Sequence, residues 1–270
     1  MATLVAFHAH PDDECLTTGG TLARAVDDGH RVVVVYATRG EVGEVPDGLL
    51  TPGESLIERR LAEVTRSTAA LGVHRVEFLG YRDSGMAGTP DNDHPSAFWQ
   101  ADVDEAAGRL AAILGEEGGD VLVAYDQNGN YGHPDHVQVH RVGVRAAELA
   151  GTPHVLEATI NRDAVRAFVD HMVSSGDATW DDVPDLDDPD LVFGMPDDVI
   201  TTRVDVRPWA ERKLAAMRAH ESQVGDLAPF LAMPVDVFRE TMGTEYFIRR
   251  GVPSTHRDDD IFAGLDILTR

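Results

Sequence analysis

Leu4-Val5-Ala6-Phe7-His8-Ala9-His10-Pro11-Asp12-Asp13-Glu14 is the stretch on which the fold turns. Its first four residues form a short continuous apolar run, the mark of a strand buried on both faces. Its remainder packs two histidines and three carboxylates behind that strand, which is costly unless something satisfies them. Pro11 stops the strand and turns the chain, so His10, Asp12 and Asp13 project near one point. A plainer reading makes Asp12 or Asp13 the N-cap of a helix that begins near Thr17.

Outward from there the chain alternates between two periods. Residues 32–36 and 121–125 repeat the continuous apolar run, residues 76–79 give a weaker one, and residues 154–156 offer a fifth. Helical patterns separate them. Thr51-Pro52-Gly53-Glu54 reads as a capping box with proline at the first helical position. Ile57, Leu61, Val64 and Leu71 then mark one face, and Gly72 is suited to the residue after the helix, as Gly29 is for the first helix. This alternation predicts an α/β fold, a Rossmann-like parallel sheet flanked by helices. Ligands in such sheets bind outside the carboxyl ends of the strands, so chemistry is expected just after Phe7, Tyr36, Leu79 and Tyr125.

After about residue 160 the pattern loosens. The expected division is a catalytic core over residues 1–160 and a smaller, irregular C-terminal portion over 161–270 that completes the substrate pocket within one structural unit. Residues 174–190 hold seven aspartates, two prolines and Trp180, and read as a solvated loop or lid over the site. Residues 199–206 suggest a strand and residues 208–220 a helix.

The chain has 270 residues and a formal charge of −24. So acidic a surface repels phosphate backbones and anionic headgroups, which argues against nucleic-acid and membrane-surface partners. One cysteine, Cys15, excludes an intrachain disulfide framework and a multi-thiolate metal site. No stretch approaches 18 consecutive apolar residues, and no basic segment precedes the first strand, so a soluble, cytoplasmic protein is expected. A homo-oligomer is compatible with the sequence but not specified by it.

A second polar cluster, Tyr125-Asp126-Gln127-Asn128-Gly129-Asn130-Tyr131-Gly132-His133-Pro134-Asp135-His136, also follows a strand. Both clusters therefore belong on the same edge of the sheet. Imidazole nitrogens and carboxylate oxygens without thiolates suit a hydrolytic zinc centre with an open coordination position.

With these motifs the sequence resembles the LmbE-like, or PIG-L, family of metal-dependent N-acetylglucosaminyl deacetylases. Ala9 to Glu14 reproduce its A-H-P-D-D-E motif and Gly132 to His136 its G-H-P-D-H motif. Gly40 to Glu44, Arg60-Leu61-Ala62-Glu63 with Leu71-Gly72-Val73, and Arg82 to Met86 extend the likeness. It thins after residue 160 to Lys213, His220, Ser222 and Gln223. The Arg82–Met86 stretch looks most like the mycothiol-pathway branch.

The resemblance implies metal ligands at His10, Asp13 and His136, with zinc as the cofactor and Fe(II) equally compatible with that donor set. It makes Asp12 the general base toward metal-activated water. It gives His133 the role of polarising the amide carbonyl, with Asp135 orienting its imidazole and Tyr131 beside the same oxyanion; His133 is expected to act in protonated form. Glu44, Arg60 and Asp83 fall at positions that hold sugar or polyol hydroxyls.

Other residues take plainer readings. His140, four residues after His136, is expected outside the ligand set, His8 packed beneath the site, and Cys15 in the core. Gly19-Gly20 lacks the remainder of a dinucleotide loop. The expected activity is removal of an acetyl group from an amino sugar conjugate. The rivals are amide cleavage in a mycothiol S-conjugate, tailoring deacetylation of a secondary metabolite and, from a different class, metal-dependent sugar binding without catalysis.

Overall fold

The computed structural model describes residues 1–175, 186, 188 and 191–265. Strand β1 (Thr3–His8) leads through α1 (Asp13–Thr17) and α2 (Gly19–Asp27) to β2 (Arg31–Tyr36), then α3 (Leu56–Leu71) and β3 (Arg75–Phe78). Helix α4 (Val103–Glu117) precedes β4 (Val121–Tyr125). A single distorted turn, α5 (Gly129–Gly132), opens onto α6 (Pro134–Ala150), β5 (His154–Thr159) and α7 (Arg162–Ser175). The C-terminal portion supplies β6 (Thr202–Asp205), α8 (Ala210–Ala219), α9 (Val224–Leu231), α10 (Val235–Thr241) and β7 (Thr244–Arg249).

The described strands form one sheet in the order β3-β2-β1-β4-β5-β7-β6. Its first five members are parallel, as the apolar runs predict, and both faces are covered. Leu4 and Ala6 enter the core layer shared with Leu22, Leu71 and Leu214, whereas Val5 and Phe7 enter the layer shared with Leu110, Val139 and Val142. A strand buried on both sides cannot afford polar alternation, which is why β1, β2 and β4 read as unbroken apolar segments.

Three expectations need correction. The sheet is mixed, because β7 pairs antiparallel with both β5 and β6. The portion after residue 160 is thus not merely irregular: it extends the same sheet, and α8 packs against α2 and α3. The capping box of α3 is Ser55 with Glu58, not Thr51 with Glu54. Thr51 does donate its N–H and hydroxyl to Glu54, but Gly53 sits at φ +89°, so that pairing closes a turn ahead of the helix. Gly72 ends α3 in the left-handed region as expected. Most of the acidic stretch 174–190, Trp180 included, lies outside the described residues. Farther on, Asp258 pairs with Arg249 at 3.1 Å. Among the described residues no helix is long and apolar enough to cross a membrane.

Candidate active site

Strand order reverses at β1, with β2 on one side and β4 on the other. Chains leaving β1 and β4 diverge there and open a crevice, the place where open α/β sheets bind ligands. Both polar clusters lie at it. Two non-glycine residues among those described have positive φ, Asp12 (φ 106°) and Asn130 (φ 62°), one in each cluster. Such conformations cost roughly 1–3 kcal/mol each and persist where the surroundings over-determine them.

His10, Asp13 and His136 converge in the crevice, all three buried. His10 Nδ1 lies 3.4 Å from Asp13 Oδ2, and His136 Nε2 lies 3.4 Å from Asp13 Oδ1. One ligand atom from each residue lies within 4.8 Å of those of the other two, so the three could hold a metal ion. The local charge agrees. Burial would lower the His10 pKa, but Asp83, Asp13 and Asp135 raise it well above the ordinary value, so the pocket favours a cation. Asp13 is held well below the carboxylate range: His136 and His10 overcome the burial that would raise it.

Asp12 points elsewhere than its neighbour. It precedes α1 but makes no side-chain cap, and Asp13 Oδ2 accepts the His10 N–H instead, so neither aspartate caps a helix with its side chain. Its Oδ1 lies 3.4 Å from Arg60 Nη2. Burial pushes the Asp12 carboxyl up to about 6, with Arg60 pulling it down and Asp13 adding to the rise.

His133 is the N-cap of α6, and its Nδ1 accepts the Asp135 backbone N–H at 3.1 Å. An accepting Nδ1 in a neutral imidazole leaves the proton on Nε2. Burial, reinforced by His10 and His136, lowers the His133 pKa to about 3. Both the accepting Nδ1 and the lowered pKa favour a neutral imidazole that donates through Nε2, where the sequence led to the expectation of an imidazolium.

Asp135 also has partners other than the expected one. Its carboxylate accepts from the Ser84 N–H (2.9 Å), the Ser84 hydroxyl and His10 Nε2 (3.2 Å), so the carboxylate orients His10 while the backbone N–H meets the His133 ring. Tyr131 is 45% exposed, with its hydroxyl 3.5 Å from His136 Nε2. Asp83 is buried, 3.5 Å from His10 Nε2, and accepts the Gly85 and Val42 N–H groups.

Arg60 was expected among hydroxyl-binding residues. It is only 2% exposed, and its guanidinium donates to the carbonyls of Gly40 (2.9 Å) and Pro11. It ties the loops after β2 and β1 together from inside. Glu44 is exposed on the loop after β2, where its carbonyl accepts from Gln223.

The plainer readings agree with the structure. His8 is buried beneath the site between the Tyr125 hydroxyl (2.9 Å) and Thr18, and burial lowers its pKa to about 4. His140 faces the Tyr125 carbonyl and Glu157. Cys15 is buried, and burial with Glu14 pushes its thiol up. Gly20 and Thr21 donate their N–H groups to Glu245, so the start of α2 is already filled by a carboxylate and is no phosphate cradle.

Sequence reasoning missed three groups that shape this crevice. Ser84 lies within the Arg82–Met86 stretch, and only its contacts with Asp135 reveal its use. Glu63 accepts the Ser222 N–H and hydroxyl, which fastens the C-terminal portion to α3. Glu14 accepts from His220 (2.7 Å) and Ser67. Burial would raise Glu14, but His220 and Ser67 bring it down to about 2.

Comparison with known proteins adds to this geometry. The family model described as GlcNAc-PI de-N-acetylase, PIG-L, matches residues 5–147. A 1D-myo-inositol 2-acetamido-2-deoxy-alpha-D-glucopyranoside deacetylase from Acidothermus cellulolyticus is 43% identical, over 99% of this chain and 97% of that relative. A protein of the same description from Thermobifida fusca is 41% identical over 95% and 96%. Among solved structures, the N,N'-diacetylchitobiose deacetylase of Pyrococcus horikoshii superposes with a TM-score of 0.55 at 23% identity, over 99% of this chain and 87% of that one. A 4-carboxy-2-hydroxymuconate hydratase from Pseudomonas putida shares the fold equally well, with a TM-score of 0.57 at 18% identity over 94% and 98%. The fold alone therefore does not select the reaction.

Proposed function

The chain belongs to the PIG-L family of de-N-acetylases, a hydrolase of N-acetyl amides, and from that premise we propose that its substrate is an N-acetylglucosaminyl-inositol. Whole-length identity to relatives of that description supports the substrate class. We further assign zinc as the ion, held by His10, Asp13 and His136. The observation that carries the mechanism is one crevice that joins this donor set to a raised carboxyl, Asp12, and a neutral imidazole donor, His133.

A divalent ion at that position supplies Lewis-acid polarisation of an amide carbonyl and of a water molecule. Asp12, with a pKa near 6, is suited to take a proton from water and return it to the leaving amine. His133 Nε2–H donates to the oxygen on which charge develops, and remains neutral in doing so. Asp135 holds the His10 ring through Nε2, which leaves Nδ1 beside Asp13, where it would hold an ion. At the same crevice we assign Asp83 to a sugar hydroxyl and Tyr131 to the oxyanion. Arg60 contributes by fixing Pro11 and Asp12 rather than by touching substrate.

Two variants and one substrate panel test this. His136→Ala should lose bound zinc, whereas Asp12→Asn should keep it and lose turnover by about 10²–10⁴-fold. A metal-free Asp12→Asn would show that the two adjacent aspartates have their roles exchanged. A released-amine assay should favour N-acetylglucosaminyl-inositol over a mycothiol S-conjugate; the opposite ranking makes the protein an amidase of thiol conjugates.

A further inference from the structure

Behind the crevice lies a buried network that the reaction does not use directly. Glu14 Oε2 accepts the Asp12 backbone N–H at 2.8 Å. Its Oε1 accepts from the Ser67 hydroxyl and from His220 Nε2 at 2.7 Å. His220 lies 206 positions along the chain from Glu14, just after α8, and both side chains are fully buried. The other side of Asp12 is also pinned: its carbonyl accepts from Cys15 N–H at 3.1 Å and Cys15 Sγ at 2.8 Å.

Two plainer explanations fall short. Glu14, Cys15 and His220 are near enough to suggest a second metal site. Both Glu14 oxygens, however, already accept from protein donors, as does the Asp12 carbonyl beneath Cys15. Stability alone is a weak reason for the pair, because well-packed apolar residues do as well as a buried imidazole–carboxylate contact or better. What the pair adds is a fixed acceptor under the N–H of a residue at φ 106°, a backbone state that an aspartate does not choose unaided.

We propose that His220 is a positioning residue for the reaction: through Glu14 it locks the backbone of Asp12 and so aims the carboxylate that serves as base. This rests on the reading of Asp12 as the base. It also gives the C-terminal portion a part in catalysis, since α8 reaches the turn after β1 at this contact.

The test measures kcat, KM and bound zinc for holoenzyme variants acting on N-acetylglucosaminyl-inositol. His220→Ala should keep its zinc and KM within about twofold while kcat falls by about 10²-fold, the loss expected from displacing a reacting group by ~1 Å. His220→Gln, which restores an N–H donor toward Glu14, should recover most of that loss. In an Asp12→Asn background, His220→Ala should cost nothing further, because a residue acting through Asp12 has nothing left to aim. Equal losses in both backgrounds, or an unchanged kcat in His220→Ala, overturn the proposal.

Should His220→Ala fail to fold, Ser67→Ala removes a smaller part of the same network and should lower kcat several-fold without additivity to Asp12→Asn. An unchanged kcat there is equally decisive against it. Wild-type turnover in Asp12→Asn overturns the base assignment and this proposal together. An inactive Asp12→Asn beside a fully active His220→Ala overturns the positioning role alone.

Discussion

Replacing Lys213 by Met should destabilise the protein strongly without changing its chemistry. Lys213, the one lysine of the chain, is 1% exposed in α8, and its Nζ meets Glu245 Oε1 of β7 at 2.8 Å. Glu245 also accepts the N–H groups of Gly20 (2.9 Å) and Thr21 (2.8 Å) in the first turn of α2. Removing the ammonium leaves a buried carboxylate with two backbone donors and a helix N-terminus. Loss of one partner from a buried pair costs about 3–5 kcal/mol. The residual donors and the helix dipole offset part of it, so the lower end, about 3 kcal/mol, is expected. At roughly 2–4 °C per kcal/mol for a chain of this size, Tm should fall by about 6–12 °C. Urea unfolding at neutral pH, followed by fluorescence and circular dichroism in parallel, measures the change and checks two-state behaviour. Lys213→Met with Glu245→Gln should recover at least about 1 kcal/mol, since a neutral amide is cheaper to bury than an unpaired carboxylate. A Lys213→Met midpoint within 1 kcal/mol of the parent would refute the argument, showing that the two backbone donors suffice for Glu245.

Gly129 has φ +60°, and a Cβ there would lie 2.6 Å from Val137 N and 2.7 Å from the backbone carbon of His136. Gly129→Ala should therefore shift the start of α6 and weaken zinc affinity by at least about tenfold, as displaced support around a metal ligand does; unaltered affinity in a zinc titration would contradict the reasoning. Gly143→Val places a Cβ 2.8 Å from Ala124 Cβ, between α6 and β4, and should cost about 1–3 kcal/mol by overpacking, read as a urea midpoint. Glu117 meets Arg31 and, at 2.5 Å, Arg75; the Arg31 hydrogen bond first, then Arg75 against some burial, lowers its pKa to about 2. A depressed carboxyl stabilises the fold above its unfolded value and loses that contribution as pH falls from about 4.5 toward 2. Glu117→Gln should accordingly flatten the stability profile between pH 5 and 3, and an identical profile would remove Glu117 from acid sensitivity.

The parallel half of the sheet and the meeting of the two polar clusters at one edge were legible because their physics is local. β1, β2 and β4 are buried on both faces and so carry unbroken apolar runs, and the two polar clusters begin where those runs stop. Legibility fails where charge goes inside. Every second residue of β7 is buried, but these are Glu245, Phe247 and Arg249, so an apolar alternation is absent and the strand escapes notice. The buried stripe of α3 likewise contains Arg60, Glu63 and Ser67 beside Val64 and Leu71. Ile57 and Leu61 suggested a face slightly rotated from the true one, because they are only partly buried. Buried carboxylates find hydrogen-bond partners 150 or more positions away: Ser222 for Glu63 and His220 for Glu14. No local pattern encodes such pairings.

Those same pairings explain how one half of the chain can hold every donor and yet depend on the other. Asp12 and Asn130 occupy conformations their own residue types disfavour, and in each case the restraint comes from elsewhere. Asp126 accepts the Asn128 and Asn130 N–H groups and the Thr159 hydroxyl, while the Asn130 carbonyl accepts the Gly194 N–H. Glu14, anchored by Ser67 of α3 and by His220, accepts the N–H of Asp12. Gly194 and His220 both follow residue 160. The crevice is thus opened by the reversal of strand order, but the two turns that line it are held in register by segments that arrive later in the chain. A motif pair can specify the donors; their aim is a property of the whole fold.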